Sequence, residues 1–289
     1  MRFYLKIDQS PEPIYEAIKL YENVHAYSSV LKCFSLLCWS EFKKQKYERA
    51  LDYLLEAETY IEKYGKLIDN LAKLDLYYNI TVVYAALNDE QKSTYYTELA
   101  LKIAKKDQIL YRLNDFYRFL FFVNVFNDEA EKSLYYLRKL RAFGEILEDP
   151  IEDLTYVITE LQYINMIEKD YKRTLSIVVE EEAYDPAVMQ IAGIFLNGEY
   201  AYALWSLGRM NEAKEKLNNL YLPEQNKHPL DLVRIYRSFA LRSLCYLHEG
   251  DLENAKRDIL YASDGVKDFQ DTNFKRFILE AYEQIMTHN

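Results

Sequence analysis

Apolar residues along most of the chain recur every three or four positions, which is the spacing of one face of an α-helix. The segment YERALDYLLEA shows the pattern clearly, because the small residue Ala50 is followed by apolar residues four and seven positions later. The same order recurs in NEAKEKLNNL around Ala213 and in LENAKRDILYA around Ala255. These segments predict amphipathic helices that each carry a small residue near the start.

Weaker copies of this pattern centre on Ser93, Ser133 and Thr174. Taken in chain order, the six small residues follow one another at steps of 39 to 43 residues. A nearly constant step is typical of repeat architectures, in which one repeat cannot bury its apolar face without its neighbours. The sequence therefore predicts about six stacked helix pairs.

Turn-forming residues are scarce and stand between the predicted helices. Only seven glycines and six prolines occur in 289 residues, which favours long helices over a turn-rich β architecture. Proline suits the first position of a helix, and an Asp before it suits the N-cap. Helix starts are therefore predicted at Ser10-Pro11, Asp149-Pro150, Asp185-Pro186 and Pro229.

The second predicted pair, LDLYYNITVVYAALNDEQKSTYYTELALKIAKK, matches a known consensus. Tetratricopeptide repeats carry Asn-Leu, Tyr, Gly, Ala, Ala and Leu at the positions held here by Asn79-Ile80, Tyr84, Asn88, Ser93, Ala100 and Leu101. The fifth and sixth pairs repeat the turn, with a glycine five residues before the small residue, at Gly208 and Gly250. The chain therefore resembles the tetratricopeptide family over about residues 28–265.

The resemblance implies an all-α fold, a right-handed superhelical solenoid in one domain, residues 1–289. An N-terminal helix would lie within residues 1–27, six helix pairs within 28–265, and a capping helix within 266–289. The last is predicted from Phe274 to Met286. HEAT repeats are the alternative fold, because their length of about 40 residues is closer to the observed step than the standard 34.

Charge and cysteine content narrow the classes of partner and compartment. The net charge of −10 and the absence of a long basic cluster argue against direct binding of nucleic acid. No segment reads as a secretory signal or a membrane span, so no membrane contact is expected. Three cysteines are too few for a disulfide framework and favour the reducing cytoplasm.

No sequence motif for catalysis is present. His248-Glu249 lacks the second histidine of a zinc-protease motif, and Gly65-Lys66 lacks the upstream glycine of a phosphate-binding loop. Cys33 and Cys38 would point about 140° apart around a helix, so buried, inert thiols are the preferred interpretation. We expect no catalytic residues, cofactor or metal, and an enzyme ranks third among the functions considered.

The resemblance also implies a binding groove lined by the first helix of each pair. Placing the small residue at position 20 of each repeat predicts the residues that face this groove. They are Trp39, Phe42, Tyr78, Asn79, Arg118, Phe122, Tyr163, Asn165, Tyr202 and Trp205. Aromatic residues and arginine are frequent hot spots of interfaces, and an amide can pair with the backbone of an extended peptide. The alternative is that the aromatic stripe belongs to the core. For the asparagines the alternatives are local capping or a consensus position of the repeat, as for Asn79, and a position that faces the core, as for Asn165.

Two functions remain open. The long repeats, aromatic groove and first-helix asparagines are similar to the cytosolic peptide-pheromone receptors of Gram-positive bacteria and their phages, which implies quorum sensing through a short peptide. Those receptors carry an N-terminal effector domain, for which about 27 residues before the first pair are too few. We therefore expect a receptor fragment or a solenoid that is itself the effector. The second function is a scaffold or inhibitor that wraps a folded protein, with a homodimer left open.

Overall fold

The computed structural model describes residues 11–147, 149–223 and 228–288; the predicted Ser10 cap and the rest of residues 1–10 lie outside them. The chain is 79% helix, and the described residues contain no strand, which confirms the all-α class. Fourteen α-helices are present in these residues. They are α1 (Glu12–Asn23), α2 (Tyr27–Lys43), α3 (Tyr47–Tyr64), α4 (Asn70–Ala86), α5 (Glu90–Lys106), α6 (Leu113–Phe126), α7 (Ala130–Leu147), α8 (Pro150–Tyr163), α9 (Tyr171–Ser176), α10 (Pro186–Ser206), α11 (Met210–Lys216), α12 (Pro229–His248), α13 (Leu252–Gly265) and α14 (Asn273–Met286).

Six turns share one geometry, and it follows the register predicted from the small residues. In each case the second helix of the pair begins three residues before the small residue. All six small residues have 0% exposure: Ala50, Ser93, Ser133, Thr174, Ala213 and Ala255. A small side chain at each of these points lets two helices approach closely, which is the role that the sequence assigned to it.

The residue five positions before each small residue adopts a left-handed backbone conformation. These residues are Gln45, Asn88, Asp128, Lys169, Gly208 and Gly250. At five of the turns the backbone N–H of the next residue donates to the carbonyl five positions before it, as Asp89 does to Tyr84 at 2.9 Å. This bond satisfies one of the free carbonyls at the end of the first helix. Glycine adopts this conformation without strain. The sequence predicted the turn position only at Asn88, Gly208 and Gly250.

Side-chain caps fix the starts of eight of the described helices. The predicted starts at Pro150, Pro186 and Pro229 are confirmed, and Asp149, Asp185 and His228 accept the capping hydrogen bonds there. Further caps are made by Asp69, Asp89, Asp170, Asp251 and Thr272. Each such bond satisfies a donor that the first turn leaves free.

The chain forms two compact units, residues 1–116 and 117–289. In unit 1, α2 packs on α3 and α4 packs on α5, with α2 and α3 also contacting α4. Tyrosines join these helices. Tyr27 stacks on Tyr64 with 3.9 Å between ring centroids, and the Tyr96 hydroxyl donates to Glu58 at 2.8 Å.

In unit 2, α10 contacts α8, α9, α11 and α12, and α12 packs on α13 and α14. Two second helices are short, since α9 has six residues and α11 seven. A π-helical turn, Ile164–Glu168, extends α8, and a 3-10 turn, Glu181–Ala183, precedes α10. The fourth pair, whose sequence pattern is weak, is therefore also the least regular. Among the described residues, no helix combines the length and the apolar character needed to cross a membrane.

Candidate functional site

Four of the predicted groove residues lie in unit 1. Trp39 is half-buried and packs edge-on against the buried Phe42, with 5.0 Å between ring centroids. Tyr78 is half-buried. Asn79 is buried, and its amide donates to the Ser35 hydroxyl at 3.0 Å. The Asn79 amide therefore joins α4 to α2 in this structure, and its role toward a peptide stays a prediction.

Tyr163 and Asn165 lie in the interior of unit 2. Tyr163 is 6% exposed and Asn165 is 1% exposed. The Asn165 amide donates to both the backbone and the carboxylate of Glu199, at 2.9 and 3.0 Å. Its carbonyl oxygen accepts a hydrogen bond from Thr174 at 2.7 Å. Both hydrogen-bonding ends of Asn165 are thus used within the protein, and it holds the π-helical turn against α9 and α10.

The same network contains a buried ion pair between α10 and α12. The Arg237 guanidinium donates to Glu199 at 2.6 Å, and each side chain is only 2% exposed. The guanidinium also lies over the rings of Tyr202 and Phe274, at 4.9 and 4.1 Å. Arg237 therefore connects α12 to Glu199 and Tyr202 on α10 and to Phe274 on α14.

Tyr202 and Trp205, two predicted groove residues, form part of a seat for α14. The ring of Phe277 on α14 packs against both, with centroid separations of 5.7 and 5.6 Å. One turn earlier, Phe274 packs against Phe126 at 4.8 Å and has no exposed surface. We call Phe126, Tyr202 and Trp205 the α14 seat.

Polar contacts fasten the beginning of α14 to the end of α6. The Asn273 amide donates to the Val125 carbonyl at 2.8 Å and to the Asp128 carboxylate at 3.0 Å. Arg276 forms an ion pair with the same carboxylate at 3.2 Å. The sequence predicted that this helix would cover the last pair, and it does pack on α12 and α13. Its contacts with α6 and α10 were not foreseen.

Arg118 and Phe122, the two remaining predicted residues, line a cavity of about 390 Å³ in unit 2. Side chains of α6, α8, α10 and α12 form its walls. Most are apolar: Phe122, Ile151, Leu154, Ile158, Ala187, Val188, Ile191, Ala192 and Phe195. We call this cavity the apolar pocket. Its volume falls within the range of ordinary small-molecule sites, about 300–1,000 Å³.

Arg234 is an unusual member of this pocket because it is a buried charge with few partners. It is 7% exposed. Its guanidinium carbon lies over the rings of Phe122 and Phe195, at 4.9 and 4.4 Å from their centroids. Asp231 approaches only Nη1, at 3.7 Å. Nε and Nη2 have no hydrogen-bond partner among the described residues.

Arg118 differs from Arg234 in having a carboxylate within hydrogen-bond distance. Its Nη2 donates to Glu152 at 2.7 Å, and both side chains are about a quarter exposed. The two threonines of the pocket, Thr155 and Thr159, donate their hydroxyl protons to backbone carbonyls one turn earlier, both at 2.7 Å. Arg234 is therefore a polar group of the pocket with buried donors that have no hydrogen-bond partner among the described residues.

A larger cavity in unit 2, about 910 Å³, has a different character. Its lining includes Arg141 and Arg173. Arg141 pairs with Glu145 at 3.3 Å, and Arg173 pairs with Glu160 at 3.1 Å. Both arginines are largely exposed, so their ion pairs are of the weak, solvent-screened kind. This cavity is a polar surface depression whose arginines are already paired.

The structure also locates the groups considered for chemistry. Cys33, Cys38 and Cys245 are buried free thiols, as the sequence indicated for the first two. Burial raises the pKa of Cys38 well above its usual value, which keeps the thiol protonated and unreactive. Within the described residues, no group of three or more His, Cys, Asp and Glu side chains is placed to hold a metal ion.

Sequence reasoning missed Arg234 and Phe195 as pocket residues. A signal was present in α12, whose segment PLDLVRIYRSFALRSL sets three arginines in an otherwise mostly apolar stretch. Arg234, Arg237 and Arg242 are all buried in the structure. A helix with apolar residues on all its sides is buried, so arginines within it are buried charges, and a buried charge requires a partner or a ligand.

Comparison with known proteins adds no family assignment. A scan against protein-family models finds no match for the chain, and a search of curated proteins finds no significant match. The resemblance to tetratricopeptide repeats therefore rests on the residues of the repeat and on the geometry of the turns.

Proposed function

We propose that this chain is a non-catalytic, tetratricopeptide-like protein whose six helix pairs stack as a solenoid and whose unit 2 binds a segment of another polypeptide. The constant register of the small residues and left-handed turns supports the repeat assignment. Three buried free thiols fit a reducing compartment, so we place its action in the cytoplasm.

The observation that carries this proposal is the α14 seat. Tyr202 and Trp205 were predicted to grip a chain, and in the structure they contact Phe277 of the protein's own C-terminal helix. Aromatic side chains that pack on a helix in this way provide the area and shape of a hot spot. The face formed by α10 and α12 is thus suited to hold an amphipathic polypeptide segment.

The preferred form of the function is a receptor for a short peptide that regulates a partner. Peptide binding would shift the protein between two states only if the peptide has different affinities for them. Release or repacking of α14 is a suitable second state, because its seat overlaps the proposed binding face.

A scaffold or inhibitor that holds a folded protein is the second candidate. The α14 seat favours it in one respect, since the segment held there is a helix, and a folded partner presents helices. The two functions differ in the ligand, which is a short peptide in the first and a protein of defined mass in the second.

Thermal unfolding of the full chain with a panel of short peptides tests the receptor form. A bound peptide raises stability by RT ln(1 + [L]/Kd), about 2.7 kcal/mol at a hundredfold excess over Kd. The gain should be lost in Tyr202→Ala, which removes a wall of the α14 seat. It should persist in the matched control Tyr135→Ala, because Tyr135 is an exposed tyrosine on α7.

Native mass spectrometry of the protein purified from its own host distinguishes the two forms. A bound mass below a few kilodaltons supports the receptor, and a stoichiometric protein partner supports the scaffold. If no peptide stabilises the folded chain and it carries neither kind of bound mass, the binding function is wrong.

A further inference from the structure

Arg234 lines the apolar pocket, and one edge of its guanidinium is buried without a hydrogen-bond partner among the described residues. The guanidinium carbon lies over the rings of both Phe122 and Phe195. The unpaired atoms are Nε and Nη2. In a guanidinium these two N–H bonds are parallel on one edge, which is the fork that receives both oxygens of a single carboxylate.

An unpaired buried charge is costly, so its presence in a folded protein requires a reason. Asp231 is the nearest carboxylate, but it lies beside Nη1 at 3.7 Å, beyond normal hydrogen-bond length. Burial lowers the pKa of Arg234 to about 10, opposed by the charge of Asp231. The guanidinium is therefore still protonated at neutral pH, and its fork is a strong donor pair.

The rest of the pocket limits what can bind to this fork. Arg118 is bonded to Glu152, and Asp231 lies 3.7 Å from Nη1 of Arg234, so one edge of a single guanidinium, Nε and Nη2, is left for one carboxylate. The walls beyond Arg234 are mainly aliphatic and aromatic, with Ile191 and Phe195 among them. Such walls suit an apolar group attached to the anion, because they gain by removing it from water.

We propose that the apolar pocket binds a carboxylate carried on a short apolar group. The two carboxylate oxygens accept hydrogen bonds from Nε and Nη2 of Arg234, which are buried in this structure and become accessible when the guanidinium turns toward the cavity. The apolar group lies against Ile191 and Phe195. The carboxylate has two sources: a free apolar acid, or the C-terminus of a peptide that ends in an apolar residue. The first is independent of the proposed function; the second rests on it.

Isothermal titration of the full chain with two matched pairs of probes tests this site. The first pair is octanoate and octanamide, and the second is N-acetyl-leucine and N-acetyl-leucinamide. Each amide keeps the apolar group and removes the charge. Because hydrogen bonds to charged groups are worth about tenfold or more in affinity, at least one acid should bind at least tenfold more tightly than its amide.

Variants of Arg234 connect the preference to its side chain. Arg234→Met keeps length and apolar contact, and it should reduce the affinity for the acid to that for the amide. Arg234→Lys keeps the charge but lacks the fork, so most of the preference should be lost. The control is Arg209→Met, which removes an exposed arginine paired with Glu212 and should leave binding unchanged.

The comparison of acid with amide in the unaltered protein tests the carboxylate site even if a variant does not fold. Equal binding of acid and amide, or no binding of either pair, would overturn the inference. An acid preference that survives in a folded Arg234→Met would overturn it as well.

Preference for N-acetyl-leucine over octanoate identifies a peptide C-terminus as the source, and the reverse identifies a free acid. The proposed function is tested separately by the peptide panel. A peptide that binds equally well with a free and an amidated C-terminus would contradict the carboxylate site and would still support peptide binding.

Discussion

The two compact units differ in the charges that they bury. Among the described residues, every buried polar side chain of unit 1 is neutral: Asn79, Thr81, Ser93 and Thr97. Unit 2 buries neutral groups too, but it also buries five charged side chains. They are Glu199, Arg234, Arg237, Arg242 and Asp258. Both units use the same left-handed turns and the same buried small residues, so the helix pairs do not require these charges.

Four of the five charges in unit 2 form close pairs. Arg237 donates to Glu199 and Arg242 donates to Asp258, both at 2.6 Å. Ion pairs that are withdrawn from water contribute little to stability compared with apolar groups of the same shape. The arginines of both pairs lie on one helix, α12, together with Arg234, whose Nε and Nη2 have no hydrogen-bond partner among the described residues. Buried charge therefore distinguishes unit 2 from unit 1, and the proposed binding site lies where that charge is concentrated.

The largest effect should come from placing a charge where the two helices of a pair cross, a feature that each unit contains. Ala213→Asp places a carboxylate at a fully buried position without a partner. We expect a loss of about 4 kcal/mol or more in the free energy of unfolding, enough to prevent folding. Ala50→Asp should do the same in unit 1, because it occupies the equivalent position. Urea unfolding followed by circular dichroism measures both.

The exposed control for that pair is Lys105→Asp, near the end of α5. Its free energy of unfolding should change by less than about 0.5 kcal/mol, as is usual for surface sites. A stable Ala213→Asp protein would show that the assigned register is wrong.

The next largest effect on stability is expected at the buried ion pair of unit 2, because unit 1 buries no charged side chain among its described residues. Arg237→Met leaves Glu199 buried without its partner, and we expect a loss of about 3–5 kcal/mol. Adding Glu199→Leu to Arg237→Met should recover most of that loss, since the pair as a whole is replaceable by apolar groups. Denaturant unfolding of the two single variants and the double variant forms the complete cycle. Additive losses would contradict a coupled ion pair.

The smallest effect concerns the left-handed turns, where the two units use different residues. Gln45 in unit 1 adopts φ of 58°, and Gly208 in unit 2 adopts φ of 77°. Because only glycine adopts this conformation without strain, Gln45→Gly should stabilise by about 0.5–1 kcal/mol, and Gly208→Ala should destabilise by about 1 kcal/mol. Thermal unfolding gives both values. Destabilisation by Gln45→Gly would mean that the flexibility of glycine in the unfolded chain outweighs the strain.

The helix pairs could be read from the sequence because their determinants are local. A small residue, the left-handed residue five positions before it and the aspartate caps all lie within one turn of the feature that they specify. The two weakest copies, at Ser133 and Thr174, fall on the same geometry as the clear ones. Ser133 and Thr174 are polar, so these copies match the apolar pattern less well. They are still small, which is what the helix crossing requires.

The binding face could be read only in part, because it depends on contacts between distant residues. Tyr202 and Trp205 were found by register, but their partner Phe277 comes from a helix more than 70 positions away. Asn165 was placed on the correct helix, yet its direction follows a π-helical turn that the pattern does not indicate. Arg234 could not be identified from the sequence as a pocket residue, because the rings beside its guanidinium, Phe122 on α6 and Phe195 on α10, are distant from it in the chain.

A crystal structure of the protein grown with the more tightly binding acid, octanoate or N-acetyl-leucine, tests the central claim most directly. The account predicts both carboxylate oxygens within about 3.0 Å of Nε and Nη2 of Arg234, with the apolar group against Phe195. An acid bound away from Arg234, or an Arg234 fork already paired with a carboxylate of the protein, would contradict the assignment of unit 2 as the binding unit.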